Sequence, residues 1–326
     1  MLTAAAVKEA ALQAGADIVG IGLMEHFEGA PLQFDPRYIF PEAKTIIGLG
    51  FRVHRGLYRG AEEGTWFAGL PSMGYANIND VFAPMALRGL SSFIEDNGYE
   101  AIPYQNTSVR LGTGAGRPVA EGLPKPDVFI HFRIAAYICG MGEIGWSKVF
   151  LTPQFGPRQR FAFILTDAPL DPDPIVEPGT LCDRCKLCVG ECPGGAISKT
   201  DSIKVTVAGR ELEWGKLDEE KCALIYQVSS PEYGPFMDEA YAEKVQKVID
   251  MPPGNERSEM IAYEGGYWGL GLNTPYSKNA WASFHHPGTV CGARGCQRAC
   301  FIHLEERGKL TNKFENKFRQ RPPWKF

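Results

Sequence analysis

The spacing of apolar positions changes period several times along the chain, and each change marks a predicted element. Thr3 is placed to cap a helix over Ala4–Ala14, and Asp17–Leu23 then reads as a short apolar strand. The uninterrupted apolar run Thr45–Val53 predicts a buried strand, and the Gly- and aromatic-rich stretch 54–75 a loop. Between Asn77 and Asn97, Val81, Met85, Leu90 and Phe93 recur at helical spacing, and Gly98 stops the helix. Glu100–Tyr104 is next as a strand, Phe132–Cys139 as a helix and Phe161–Leu165 as another buried strand. Helices alternating with strands in this way predict a layered α/β (α+β) domain. The Pro-rich segment Asp171–Pro178 marks its end. Beyond it the pattern predicts a hairpin over Lys204–Trp214, turning at Ala208-Gly209, and a helix around Asp238–Ile249.

Composition narrows the class without choosing it. The 326 residues are 44% hydrophobic and 22% charged, ordinary for a globular protein large enough for one big domain and a smaller one. A net charge of −4 argues against nucleic acid as a partner. No apolar run reaches the roughly 18 residues of a membrane span. The N-terminus carries no twin-Arg pair and no basic stretch before an apolar one, so a cytoplasmic protein is expected.

The nine cysteines change the picture. Cys182-x2-Cys185-x2-Cys188-x3-Cys192-Pro193 is the bacterial ferredoxin run, in which three closely spaced thiolates hold one 4Fe–4S cluster and the fourth serves a neighbouring one. Zinc sites more often pair two Cys-x2-Cys knuckles at longer separation. A second set of four is available in Cys222, Cys291, Cys296 and Cys300. The crossing rule then gives one cluster to Cys182, Cys185, Cys188 and Cys300 and the other to Cys192, Cys222, Cys291 and Cys296. Cys139, inside an apolar helical stretch, reads as a small buried hydrophobe.

Four blocks precede the ferredoxin run in a distinctive order: Gly98-Tyr-Glu-Ala-Ile-Pro-Tyr-Gln-Asn106, Gly140-Met-Gly-Glu-Ile-Gly145, Leu151-Thr-Pro-Gln-Phe-Gly-Pro-Arg-Gln-Arg160 and Thr166-Asp-Ala-Pro-Leu170. With the cysteines, this order resembles the cobamide-dependent reductive dehalogenases and their relative epoxyqueuosine reductase. The resemblance covers roughly residues 1–222 and resumes at 291–306. It implies a nitroreductase-like domain over residues 1–172 holding a base-off cobamide. A ferredoxin-like domain with two 4Fe–4S clusters would occupy 173–306, and a basic amphipathic tail 307–326. It also implies that Tyr75 is the proton donor, that Arg160 supports it, and that Asn106 occupies a third active-site position. A guanidinium beside the phenol would stabilise tyrosinate. Gly140-x-Gly142-x-x-Gly145 matches a dinucleotide fingerprint, but a helix precedes it, and Pro153, Gly156 and Pro157 interrupt the segment in which a Rossmann helix would have to run. The resemblance suggests instead that Gly140, Gly142, Gly145 and Thr152 lie against the cobamide. No histidine is an obvious cobalt ligand, since His26-x-x-Gly29 supplies only half of the D-x-H-x-x-G pattern.

This chain departs from the dehalogenases in extra residues at Thr107–Asp127 and in a long insertion, 223–290, with ten aromatics from Tyr226 to Phe284. The insertion is expected to cover the cobalt face and form an apolar substrate cavity. The helical repeats that end epoxyqueuosine reductase have no counterpart. Arg307–Phe326 sets seven Lys/Arg against one Glu, with Leu310, Phe314 and Phe318 every fourth residue, and reads as an amphipathic helix that packs on the body or receives an acidic donor.

The implied function is a corrinoid-dependent reductase that uses both clusters to bring cobalt to Co(I), with reductive dehalogenation first. The alternatives are epoxide reduction of the epoxyqueuosine type and an electron-transfer protein reactivating a separate corrinoid protein. The implied partners are a small aromatic or organohalide substrate and a low-potential donor, ferredoxin or flavodoxin. Two sets of four cysteines predict about eight iron and eight sulfide per chain. Elemental analysis should find that count unchanged in Cys139→Ala and roughly halved in Cys291→Ala; an intact chain with about four iron would refute the pairing.

Overall fold

The structure is a computed structural model that describes residues 2–67, 69–106, 116–227, 230–232, 234, 237, 239–265, 291 and 294–322. Helix α1 (Ala4–Gln13) begins where the Thr3 hydroxyl accepts from the Ala6 amide. Strands β1 (Ile18–Leu23) and β2 (Thr45–Arg52) come next, then a short helix α2 (Arg59–Glu63). The stretch 54–75, expected as loop, is largely helical: past Gly69 the chain makes two π-turns, Ser72–Ala76 and Ile78–Phe82, that run straight into α3 (Ala83–Asp96). Gly98, with φ of 84°, ends that helix. Beyond it lie β3 (Ala101–Tyr104), α4 (Phe132–Ile138), the small ladder of β4 (Glu143–Ile144) with β5 (Phe150–Leu151), and β6 (Gln159–Thr166).

The central sheet has the order β1-β2-β6-β3, and each of its pairings is antiparallel. The alternation of elements therefore yields an α+β layering rather than the parallel sheet of doubly wound folds. One sheet face, through Ile21, Ile47, Leu49 and Ile164, packs on α1 and α3. The other, through Ile46, Phe161, Phe163 and Leu165, packs on α4. This two-sided burial explains the continuous apolar runs of β2 and β6. The stripe expected on α3 is out of phase. Met85 is 69% exposed and Val81 44% exposed, whereas Ala83, Ala86, Leu87, Leu90 and Ile94 are buried. Each π-turn takes an extra residue, so counting by the α-helical period slips before the helix proper begins.

Gly20 of β1 lies opposite Gly48 of β2. A Cβ on Gly20 would stand 2.2 Å from the Cys139 carbonyl, and one on Gly48 would stand 2.6 Å from the Met141 sulfur. These bare positions let the end of α4 settle directly on the sheet. Cys139 is completely buried there, its thiol pushed far up by burial and donating to the Ile46 carbonyl at 3.5 Å.

The Pro-rich segment after the sheet is fastened rather than free. The Asp173 amide donates to the Ile21 carbonyl on the edge strand, and its carboxylate accepts from the Ile21 amide at 2.9 Å and pairs with Lys8. The chain continues through α5 (Leu187–Gly190) and a hairpin of β7 (Ile197–Val207) and β8 (Arg210–Leu217). Its turn, Ala208-Gly209, has positive φ at both residues, which suits the twist of the strands. Val207, Leu212 and Trp214 of the hairpin join the same core as α4. Helices α6 (Glu219–Gln227), α7 (Glu239–Asp250), α8 (Asn255–Gly265) and α9 (Cys296–Glu306) complete the described elements. Much of the expected aromatic cover lies outside the described residues, as do His285, His286 and part of the Thr107–Asp127 insertion; of the ten aromatics only Tyr226 has a described side chain.

The expected C-terminal amphipathic helix does not form among the described residues, which take an irregular path from Arg307 to Pro322. Gly308, at φ of 65°, ends α9, and the three apolar residues then seat separately. Leu310 enters a cluster with Leu151, Leu181 and Leu304, Phe314 lies under the Arg55 guanidinium at 3.8 Å, and Phe318 meets the Phe301 ring edge at 4.9 Å. Spacing of four fits a helix, but single anchors at different depths serve as well.

Gly20→Ala should destabilise the protein by about 1–3 kcal/mol, because the added methyl meets backbone that cannot retreat. Gly56→Ala, with nothing within 4 Å of its Cβ position, should stay within about 0.5 kcal/mol in the same denaturant titration.

Candidate functional site

The ferredoxin run is shaped by the carboxylate of Glu143, which is buried at 2% exposure. Its oxygens accept from the amides of Gly179, Leu181 and Cys182, at 2.6 Å from Gly179 and 2.8 Å from Cys182. This clamp fixes the approach to the first cysteine. Arg184 and Lys186 then adopt left-handed φ of 56° and 59°, an arrangement costly for residues with a Cβ, and turn the chain back on itself. Cys182, Cys185, Cys188 and Cys300 consequently line one small cavity with Trp146, Leu181 and His303. Cys192, Cys222, Cys291 and Cys296 line a second, of about 290 Å³. The geometry thus gathers the cysteines into the two sets expected from their spacing.

The donor set suits an iron–sulfur centre. The Trp146 amide donates to the Cys182 sulfur and the Ala196 amide to the Cys192 sulfur, both at 3.4 Å. Burial, and after it the neighbouring cysteines, pushes the Cys188 thiol up to about 11 and the Cys296 thiol up to about 12, and drives Cys300 well above its ordinary value. Gathered thiols of this kind ionise together only when a metal centre takes up their charge. Cys185 is the exposed member of the first set.

Tyr75 and Arg160 line the second cavity. The π-turns carry Tyr75 and Asn79 one turn apart, both toward β6. The Arg160 guanidinium lies 4.8 Å from the centre of the Tyr75 ring. Its Nε donates to Asn79 Oδ1 at 3.1 Å and its Nη2 to Asn106 Oδ1 at 3.2 Å. Arginine only donates, so both amides must present oxygen to it, and the guanidinium is gripped from two sides. The Tyr75 hydroxyl donates to Gln297 Oε1 at 2.9 Å, and the Tyr58 hydroxyl reaches the same oxygen at 3.4 Å. Burial pushes the Tyr75 phenol above its ordinary value while Arg160 pulls it back, so the net direction is upward. The phenol therefore stays protonated through neutral pH.

Tyr75, Arg160 and Asn106 are brought together. The four residues assigned to the cobamide are otherwise occupied. A Cβ on Gly140 would lie 2.6 Å from the Pro174 carbonyl, and one on Gly142 only 1.9 Å from that of Leu151. Gly145 faces the Leu151 side chain. Thr152 is fully buried, accepting from the Phe155 amide at 3.1 Å and donating to Gln159 Oε1 at 3.3 Å. These glycines permit close backbone packing; Gly142, Gly145 and Thr152 are buried, and Gly140 alone of the four is partly exposed. Three other residues were not legible in the sequence as members of the site. Asn79 could have been noticed as a polar residue after Ile78 in a helical run, Gln297 as the neighbour of Cys296, and Glu143 as the one acid among the glycines of its block.

Comparison with known proteins places these features. No family model matches the chain. The tetrachloroethene reductive dehalogenase of Sulfurospirillum multivorans is 29% identical over 203 residues, 59% of this chain and 34% of that protein. Epoxyqueuosine reductase of Bacillus anthracis is 29% identical over 114 residues, 35% of this chain and 24% of that protein. Among solved structures, the catabolic reductive dehalogenase NpRdhA, in complex with 3-bromo-4-hydroxybenzoic acid, superposes with a TM-score of 0.50 at 20% identity. That match covers 86% of this chain and 37% of the other, a likeness of fold. The chain is a relative of both the reductive dehalogenases and epoxyqueuosine reductase, and spans about a third or less of the length of the relatives cited.

Glu143→Ala removes the acceptor for three amides and should release Cys182 from its place. Iron content should fall by roughly half, as for loss of one of two clusters, with the fold retained by circular dichroism. A full complement of iron would show that the clamp is dispensable.

Proposed function

We propose that the chain is an iron–sulfur, corrinoid-dependent reductase of the reductive dehalogenase type. The observation that carries this reading is that the second set of four cysteines lines the same cavity as Tyr75 and Arg160. Electrons held there would arrive beside a buried, protonated phenol. In this reading residues 1–172 form a nitroreductase-like catalytic unit and 173–306 a ferredoxin-like unit with two 4Fe–4S clusters, fed by a low-potential carrier such as ferredoxin or flavodoxin. The clusters, held by Cys182, Cys185, Cys188, Cys300 and by Cys192, Cys222, Cys291, Cys296, supply one electron at a time. A cobamide, where bound, would supply the nucleophile that opens the carbon–halogen bond; of Gly140, Gly142, Gly145 and Thr152, Gly140 alone keeps a partly exposed backbone to meet it.

Replacing a carbon–halogen bond by carbon–hydrogen consumes an electron pair and a proton and releases halide. Tyr75 is the residue placed to give that proton from its Oη. Before it does so the hydroxyl is held by Gln297, and afterwards the guanidinium of Arg160, gripped by Asn79 and Asn106, stabilises the phenolate left behind. The surrounding apolar and aromatic side chains, Tyr226 among them at 6.3 Å from the Tyr75 ring, keep water from competing. Small organohalides are the proposed substrates, aromatic ones first.

Tyr75→Phe should keep the cluster spectra and the iron content while lowering reductive turnover by roughly 10²–10⁴-fold, the usual contribution of a general acid. Arg160→Leu should act on the same step, so the double variant should be little worse than either single one. Normal turnover in Tyr75→Phe would move the proton donor elsewhere, though not to Tyr104, whose hydroxyl donates to the Val128 carbonyl at 3.2 Å, away from this cavity.

A further inference from the structure

The second cavity is lined by three cations, Arg133, Lys148 and Arg160, and by no carboxylate among the described residues. Two of the three are already engaged. Lys148 Nζ pairs with Glu219 at 2.8 Å, and Arg160 donates to the neutral amides of Asn79 and Asn106. Arg133, at the start of α4, lines the cavity from its solvent-exposed rim and has no ion pair and no hydrogen bond among the described residues, although it shares an electrostatic field with Cys222, Cys296 and Glu219. The local field registers on its neighbour: burial, then the charges of Arg133 and Lys148, lower His131 to about 4, so its Nδ1 stays free to accept from the Ile134 amide at 3.3 Å. The first cavity differs, since Asp183 lines it with Lys186 and its thiol Cys185 is exposed. Glu219, the nearest carboxylate to bear on Arg133, is already bonded to Lys148, so the strongest counter-charge open to this guanidinium is the anionic centre the four thiols would hold.

We infer that Arg133 sets the reduction potential of the cluster held by Cys192, Cys222, Cys291 and Cys296, making that cluster easier to reduce than it would be without this charge. The inference rests on the two-cluster reading. Reduction adds one electron, supplied by a low-potential one-electron carrier, to a group that four thiolates already make negative, and no atom is gained or lost. A fixed cation at the site favours the more negative state, and net charge near the sulfurs is among the main determinants of such potentials. Arg133 thus acts through the cluster and not on substrate, as a positioning charge for electron arrival beside Tyr75.

The test uses the full chain, reconstituted anaerobically with iron and sulfide, titrated with dithionite and mediators and monitored by electron paramagnetic resonance. Arg133→Gln should lower the midpoint of one cluster and leave the other unchanged, and Arg133→Lys should restore most of the shift because it keeps the charge. Iron should remain at about eight in both variants. Unshifted midpoints in Arg133→Gln at full iron content would overturn the inference, as would an equal shift of both clusters or a shift that Lys fails to restore. Loss of iron in both variants would overturn it too, making Arg133 a structural residue. A wild-type count near four iron would instead remove the two-cluster reading itself.

Discussion

The arrangement depends on one eleven-residue helix, α9, which must satisfy demands on several sides at once. Cys296 and Cys300, four residues apart on one side, belong to different thiol sets. Gln297 turns toward Tyr75 and Tyr58, while Phe301 and Leu304 enter the core. Arg298 pairs with Glu62, a carboxylate at 1% exposure that also accepts from the Arg321 amide at 2.7 Å and faces Arg294. A buried pair of this kind contributes little net stability when intact, but losing one partner costs about 3–5 kcal/mol, so it fixes the rotation of the helix more than it strengthens the fold. A turned α9 would misplace both thiol sets and the tyrosine's acceptor together.

Tyr75, its hydrogen-bond acceptor and the second set of cysteines are thereby kept within one rigid contact. Tyr75 comes from a π-turn, Arg160 from the central strand β6, Asn106 from just beyond β3 and Gln297 from α9. None is adjacent in sequence, and each rests on an element with its own share of the core. The grip of two amide oxygens on Arg160 leaves the guanidinium little rotational freedom. Such a site is prearranged and need not be assembled on binding.

Legibility of the sequence is bounded by the information that spacing can encode. Cysteine ligands are bound by short covalent distances, so intervals of two and three residues specify a shared centre, and from it the pairing of distant cysteines. Arg160 and Asn106 are similarly legible because their blocks are dense with fixed turns. Solvent-facing and core-facing positions on α3 are not, because the two π-turns ahead of it shift the phase invisibly. Nor can spacing tell which group fills the room left by a missing side chain: Gly142 looks suited to a ligand, yet the Leu151 carbonyl stands there. The tail shows the same ambiguity, since Leu310, Phe314 and Phe318 could equally form a helix face or three separate anchors.

The crossing of the cysteines between chain segments also bears on how the protein is made. The first set lacks Cys300 and the second lacks Cys291 and Cys296 until a long further stretch of chain beyond Cys222 has been synthesised. Neither cavity can therefore be completed when the ferredoxin run itself first leaves the ribosome. Until the later cysteines follow, the early run Cys182–Cys192 is a set of unfinished thiols, open to oxidation or to the wrong metal. Each set of thiols thus waits on distant chain, and oxygen exposure before the last cysteines fold into place should harm the protein more than oxygen exposure afterwards.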